Sequence, residues 1–274
     1  AVKAAVTAMD EVGAKRSLIL PPPQCAGQMN APGDYQNFQK ALQAYPGRFA
    51  FLGGGGSLNP LIVDANNAAN VSEQTKQRFT KTAEEILAAG AVGFGEIAAH
   101  HLSYANSHPY EATPPDNPLL LLLADIAAQH DVVIDLHLDL VRTDMDLPTE
   151  FSSPLNPAKL KANLAGFERL LEHNPKAKII WAHAGSDPLG DWTPALSREL
   201  LKKHPNLYMS LRLTVGDRMR RTPPPGTVGI PSYVAFGPRG DINPDWLDLF
   251  KEFPDHFVMG TDQFIVPSDM PNPP

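Results

Sequence analysis

Seven short apolar runs, each separated from the next by a stretch with helical periodicity, constrain this chain more than any other feature. They fall at 17–20, 49–52, 91–97, 132–138, 178–183, 207–213 and 257–262. Helical patterns fill 2–9, 34–44, 72–89, 118–130, 157–172, 194–203 and 244–253. The first run starts at 17 and the last at 257, so six intervals average about 40 residues. Strands that alternate with helices in this way predict parallel βαβ units. No shift in composition divides the chain, which predicts a single domain over 1–274. Two architectures fit: a doubly wound open sheet and a TIM (β/α)8 barrel. At about 40 residues per unit, eight units need about 320, within the range such barrels reach with insertions. With 274 residues and seven runs, the barrel is one strand short.

The strand ends favour the barrel, because that fold builds its active site from the C-terminal ends of its strands. The third run ends Gly95-Glu96-Ile97, and the fourth ends Asp135-Leu136-His137 with Asp139 just beyond. The fifth ends Trp181-Ala182-His183, the sixth carries Ser210 and Arg212, and the seventh ends Gly260-Thr261-Asp262. Imidazole and carboxylate are the ligands of zinc and related divalent ions. Four such groups at one end of four strands predict a metal site formed by Glu96, His137, His183 and Asp262. With a period of two, Phe94 and Glu96 are expected on one strand face, and Asp135, His137 and Asp139 on one face of the next. Asp135 is expected below His137, either orienting a ligand histidine or in a buried polar pair. A bound ion polarises a carbonyl and lowers the pKa of its water, and a nearby carboxylate or histidine then moves the proton.

Several function classes are excluded. Twenty-three Lys and Arg against 30 Asp and Glu give a net charge of −7, which argues against nucleic acid or an anionic membrane surface as partner. The longest apolar run, 119–126, is too short to cross a bilayer and contains Asp125. Cys25 is the only cysteine, so it forms neither an internal disulfide nor a Cys-based zinc site, and it reads as a small buried residue. Gly53, Gly54, Gly55 and Gly56 follow a strand without the Gly-Lys-Ser/Thr of a phosphate loop, and are expected to pack closely near the barrel mouth. No run ends in lysine, which argues against Schiff-base chemistry. His100, His101, Tyr104, His108 and Tyr110 follow the third run and could wall a substrate pocket. Arg212 suits a substrate carboxylate or an ion pair with Asp217 or another acid.

The ordered series Gly95-Glu96-Ile97, Asp135-Leu136-His137, Trp181-Ala182-His183-Ala184-Gly185, Asn206 through Ser210 and Gly260-Thr261-Asp262 resembles the amidohydrolase-related family, the amidohydrolase 2 group of the metal-dependent hydrolases. The resemblance spans nearly the whole chain and implies a TIM barrel. It implies that His137 binds metal. It implies that His183 is a second ligand or a water-orienting catalytic histidine, and that Asp262 binds metal and handles the proton of the attacking water. Glu96 stands where some relatives place a metal-bridging acid or modified lysine. The family opens its barrel with a strand ending His-x-His, and this sequence has none; His100 and His101 are adjacent. That strand is therefore expected before residue 1, and the C-terminus is expected to lie at the edge of a longer segment.

The resulting expectation is a hydrolase that uses a divalent ion, zinc by preference, on a small-molecule ester, lactone or amide. Two alternatives stand beside it: non-oxidative decarboxylation of a small aromatic acid at the same site, and a metal-free binding barrel. The cytoplasm is the expected compartment, or the periplasm if a leader was removed. A homo-oligomer stays open.

Overall fold

A computed structural model describes residues 2–25, 34–65, 71–103, 109–184, 186–212, 232–237, 240–260 and 262. In chain order the elements are α1 (Val2–Glu11), β1 (Ser17–Ile19), α2 (Gln39–Ala44), β2 (Phe49–Phe51), β3 (Gly53–Gly54), α3 (Asn59–Asp64), α4 (Glu73–Ala88) and β4 (Gly93–Ala98). There follow β5 (His100–His101), β6 (Glu111–Ala112), α5 (Pro118–His130), β7 (Val133–His137), β8 (Met145–Asp146), β9 (Lys159–Leu160) and α6 (Leu164–His173). The last are β10 (Lys178–Ala184), α7 (Pro194–Lys203), β11 (Leu207–Arg212), α8 (Pro244–Glu252) and β12 (Phe257–Gly260).

The strands form a parallel array in sequence order. β1 pairs with β2, and a six-stranded sheet runs β3, β4, β7, β10, β11, β12. Leu52 joins β2 to β3, its N–H donating to the Ile19 carbonyl at 2.9 Å, so the two sheets continue one another. A doubly wound sheet reverses its strand order part-way. This array never reverses, and it is the α/β arrangement of a TIM barrel. Among the described residues β1 and β12, its two ends, do not pair with each other.

Helix starts are written in side chains. Ser72 accepts from Thr75 N–H, Asn117 from Leu119, Thr193 from Leu196 and Asn243 from Asp245. Pro118, Pro194 and Pro244 take the first helical turn, where a missing N–H costs nothing. This is one use of the chain's 28 prolines. The expected close packing of the glycine run is present. A Cβ on Gly55 would lie 2.6 Å from the Pro21 carbonyl and 2.8 Å from that of Pro22.

Two readings change. The 157–172 stretch is helical only from Leu164, and Lys159–Leu160 instead pairs antiparallel with Met145–Asp146. Leu160 there joins a separate buried cluster with Leu102, Val141 and Leu189. The segment after β4 is not all loop, because His100–His101 and Glu111–Ala112 form a two-stranded ribbon.

The core lies between the strands and the helices. Trp181 is its centre, stacked on Trp192 at 3.4 Å, packed on Phe167, and donating from Nε1 to the Leu138 carbonyl at 3.0 Å. Trp192 N–H in turn donates to Asp187 at 2.7 Å. Burial is the largest influence on Asp187 and outweighs its two backbone hydrogen bonds, lifting its carboxyl from 3.8 to about 7. Between about pH 4 and 7 the unfolded chain has released a proton that the folded state keeps, so this group lowers stability as pH rises. Asp187→Asn removes that dependence. The stability of the variant relative to wild type is expected to rise from pH 4.5 to 8 by about 3 kcal/mol. Parallel pH profiles in denaturant melts of the metal-free proteins would refute this.

Candidate metal centre

Alternation alone would send Glu96 and His183 the wrong way. In the paired registers Phe94 lies beside Ile134, and Trp181 beside Leu136 and Met209, all in the main core cluster. Glu96 and His183 have the same parity as these residues, so a regular strand would turn them towards the helices. Each strand contains a bulge. On β4 the register slips between Phe94 and Ile97, so that Gly95 and Glu96 together face Asp135. On β10 it slips between Trp181 and Ala184, so that Ala182 and His183 together face Ser210. Bulges re-aim side chains beside active sites. The expectation that Phe94 and Glu96 share a face is thereby corrected. Gly95 was the signal in the sequence: a Cβ there would lie 2.8 Å from the Asp135 Cβ. His183 and Asp262 have φ of 75° and 47°, in the left-handed region that costs a non-glycine residue about 1–3 kcal/mol and clusters at functional sites.

These turns bring the predicted residues together. Glu96 Oε1 lies 3.1 Å from His137 Nδ1 and 3.7 Å from His183 Nε2. His183 Nε2 lies 3.3 Å from Asp262 Oδ2, which is 3.1 Å from Arg212 Nη1. The β11–β12 register, Arg212 beside Gly260, creates this last contact. Asp262 is thus an acid that pairs with Arg212; Asp217 lies outside the described residues. At the other end of the chain of contacts, His137 Nε2 lies 3.3 Å from Asp139 Oδ1, an ion-pair contact without hydrogen-bond alignment. Asp139 rather than Asp135 meets that nitrogen. The strand ends at His137, and the chain turns the Asp139 carboxylate back onto the ring.

Charge follows from this packing. Burial opposes the His137 imidazolium, but the charge of Asp139, with the charge and hydrogen bond of Glu96, outweighs it and raises the ring to about 10. Burial would raise Asp262, yet His183 and Arg212 hold it down at about 2. Asp135, buried and near Glu96, is pushed up to about 7. The Asp139 carboxyl is held well below the ordinary range by His137, against the effect of burial.

Glu96, His137 and His183 each offer a ligand atom within 4.8 Å of the other two, and His137 Nδ1 and His183 Nε2 are the atoms that contact Glu96 Oε1. Two ligand atoms on a tetrahedral ion with bonds of about 2.05 Å stand about 3.3 Å apart. The two Glu96 distances bracket that length, and two imidazole nitrogens with a carboxylate oxygen suit a divalent ion. The residues therefore fit a metal. Two other groups among the described residues have ligand atoms equally close. His101, His137 and Asp139 use the opposite edge of the same ring. In the third group Glu168 and Glu172 already hold Lys203 Nζ, at 2.6 and 3.0 Å, and His204 Nε2 lies 3.6 Å from Glu168.

The remaining predicted residues divide. His101 stacks on His137 at 4.0 Å and engages the Leu102 carbonyl through Nδ1. His100 is buried, with Nδ1 on the Asp139 carbonyl and Nε2 on the Tyr110 hydroxyl, so both ring nitrogens are committed to protein partners. Tyr104 and His108 lie outside the described residues, as does most of 214–243. Cys25 is buried, and burial with the nearby Glu111 pushes its thiol to about 12, far from a reactive thiolate.

The family described as Amidohydrolase matches residues 65–273. The chain belongs to the amidohydrolase family. It is therefore an enzyme of a family that characteristically uses divalent metal. No curated protein matches the amidohydrolase-family chain in sequence. Among solved structures it is similar to an amidohydrolase II, at 14% identity and TM-score 0.46, over 96% of this chain and 76% of that one. It is also similar to 2,6-dihydroxybenzoate decarboxylase from Rhizobium, at 14% identity and TM-score 0.48, over 94% and 76%. A third is dihydroxybenzoic acid decarboxylase from Polaromonas with bound manganese and 2-nitroresorcinol, at 15% and TM-score 0.47, over 94% and 74%. The family is carried by the sequence match. No helix among the described residues is long and apolar enough to cross a membrane.

Proposed function

We propose that this amidohydrolase-family enzyme is a metal-dependent hydrolase that cleaves a carboxylic ester, lactone or amide of a small molecule. The observation that supports it is the convergence of Glu96 Oε1, His137 Nδ1 and His183 Nε2 beside an ionised Asp262. Glu96, His137 and His183 would hold the ion, zinc in our reading, with Asp262 at its edge. Bound there, a divalent ion supplies Lewis acidity towards a carbonyl and acidifies water.

The chain's own residues do the rest. Asp262, an anion across the physiological range, accepts the proton that the attacking water loses. Asp262 then gives it to the leaving alkoxide or amine, while His183 Nε2, which lies 3.3 Å from Asp262 Oδ2 and would hold the ion, carries no proton. A carboxyl held near 2 is a weak base, and Arg212 is one of the charges that hold it there. A substrate carboxylate that draws the guanidinium to itself frees Asp262 to take the proton. Arg212 thus points to a substrate with a carboxylate close to the scissile carbonyl. His101, and Tyr104 beyond the described residues, are our candidates for the pocket wall.

The same guanidinium supports a second reading, non-oxidative decarboxylation of a small aromatic acid. There the bond to the carboxylate breaks, carbon dioxide leaves and the ring carbon takes a proton. Metal analysis and product analysis decide among the readings. Hydrolysis predicts about one zinc per chain, activity lost on chelation and regained with zinc, and acid plus alcohol or amine as products. Carbon dioxide in place of the second product selects the decarboxylase. A protein that holds no metal and ignores chelators is a binding barrel, and both enzyme readings fall.

A further inference from the structure

We infer that Asp139 is a positioning residue that dedicates His137 to the metal through Nδ1, by holding the ring's opposite nitrogen and the neighbouring hairpin with one carboxylate. This rests on the reading of Glu96, His137 and His183 as the metal-holding set. The Asp139 carboxylate has a different task for each oxygen. Oδ2 accepts from the Leu102 N–H at 2.7 Å, and Oδ1 faces His137 Nε2 at 3.3 Å. Its backbone is fixed as firmly. The Asp139 N–H donates to the His100 carbonyl at 2.8 Å, and its own carbonyl meets His100 Nδ1 at 2.7 Å and Asn163 Nδ2 at 2.9 Å. With the side chain 5% exposed and the backbone held on both sides, the carboxylate has little freedom to follow the ring. The ring must accommodate the carboxylate.

The consequence is a choice of nitrogen. A neutral imidazole carries one N–H and one lone pair. Facing Asp139, Nε2 keeps the hydrogen, and the lone pair goes to Nδ1, the atom beside Glu96. A metal-bound histidine characteristically gives its other N–H to a carboxylate or carbonyl, and loss of that partner costs about 10–100-fold in metal affinity. Asparagine cannot replace Asp139, although it has the same shape. Leu102 N–H donates to one oxygen and His137 Nε2 faces the other, and an amide offers one acceptor oxygen in place of these two. Its NH2 must confront either Leu102 N–H or His137. In the second case it donates to Nε2, and the hydrogen moves to Nδ1, where it blocks the metal.

A merely structural role in anchoring the hairpin makes a different prediction. Asn156 anchors the same segment, accepting from Ser103 N–H at 2.8 Å and donating to the Ser103 carbonyl at 3.0 Å, and it is not in the His137 contacts described above. The test is zinc titration of metal-free wild-type protein, Asp139→Asn and Asn156→Ala, with 15N NMR of the His137 ring in the zinc-loaded wild type. The expected result is binding weaker by about 10–100-fold in Asp139→Asn and unchanged within about threefold in Asn156→Ala. The ring should show its proton on Nε2 and zinc on Nδ1. Wild-type affinity in Asp139→Asn, an equal loss in Asn156→Ala, or a proton on Nδ1 overturns the inference while the metal reading stands. Wild type that takes up no zinc removes the metal reading and this inference with it. Should Asp139→Asn fail to fold, the ring spectrum of wild type decides.

Discussion

Replacing His137 with alanine is expected to weaken zinc binding by more than 100-fold and to abolish turnover. The loss exceeds the 10–100-fold typical of an outer partner, because the ring itself supplies a ligand atom. It also separates two carboxylates, Glu96 at 3.1 Å and Asp139 at 3.3 Å. Without it these buried acids face each other unneutralised, and breaking such an arrangement costs about 3–5 kcal/mol. Metal-free His137→Ala should therefore melt below wild type as well. His183→Ala and His101→Ala distinguish the two edges of the ring. If the ion sits with Glu96, His137 and His183, His183→Ala loses affinity to a similar degree and His101→Ala changes it only a few-fold. The reverse order would place the ion with His101 and Asp139 instead. Calorimetric zinc titrations of the three variants read this directly.

The sequence made the strands and the candidate site residues legible for one reason. Parallel strands buried on both faces leave apolar runs that turn residues punctuate, and Glu96, His137, His183 and Asp262 stand where those runs stop. What decided the aim of these side chains was not legible. Strict alternation puts Glu96 with Phe94 and His183 with Trp181, on the helix side. Only the slipped registers at Gly95–Glu96 and Ala182–His183 turn them inward. The partner of Arg212 was hidden for a related reason. Asp262 is 50 residues away in sequence and reaches Arg212 only through the β11–β12 pairing. The local pattern of the β9 segment permits a helix as well as a strand. Burial of Leu160 against Leu102, Val141 and Leu189 is a long-range contact that no local pattern reports.

Gly93→Ala is expected to be among the most destabilising single-methyl additions in the chain. A Cβ there would lie 2.3 Å from the Val133 carbonyl oxygen and 2.8 Å from Val133 Cγ2, with Leu52 Cδ2 at 3.1 Å. A side chain can rotate away from a new methyl, but the carbonyl belongs to the strand with which Gly93 is in register. β4 and β7 must therefore separate. Overpacking against movable side chains costs about 1–3 kcal/mol, and displacing a paired strand should cost at least the upper end of that range. In a protein of this size about 3 kcal/mol lowers Tm by roughly 6–12 °C. Gly13→Ala is the control. It has a φ of +73° but nothing within 4 Å of its Cβ, so it should cost only about 1 kcal/mol. Equal Tm values for the two variants would refute the clash. The same separation acts on the metal centre, because Glu96 and His137 extend from these two strands and meet at 3.1 Å. Zinc affinity in any Gly93→Ala protein that folds should fall with stability, whereas Gly13→Ala should leave it unchanged. Tight backbone approach at the base of β4 thereby sets the Glu96–His137 spacing at its tip, and this explains why the run needs glycine at 93 as well as at 95.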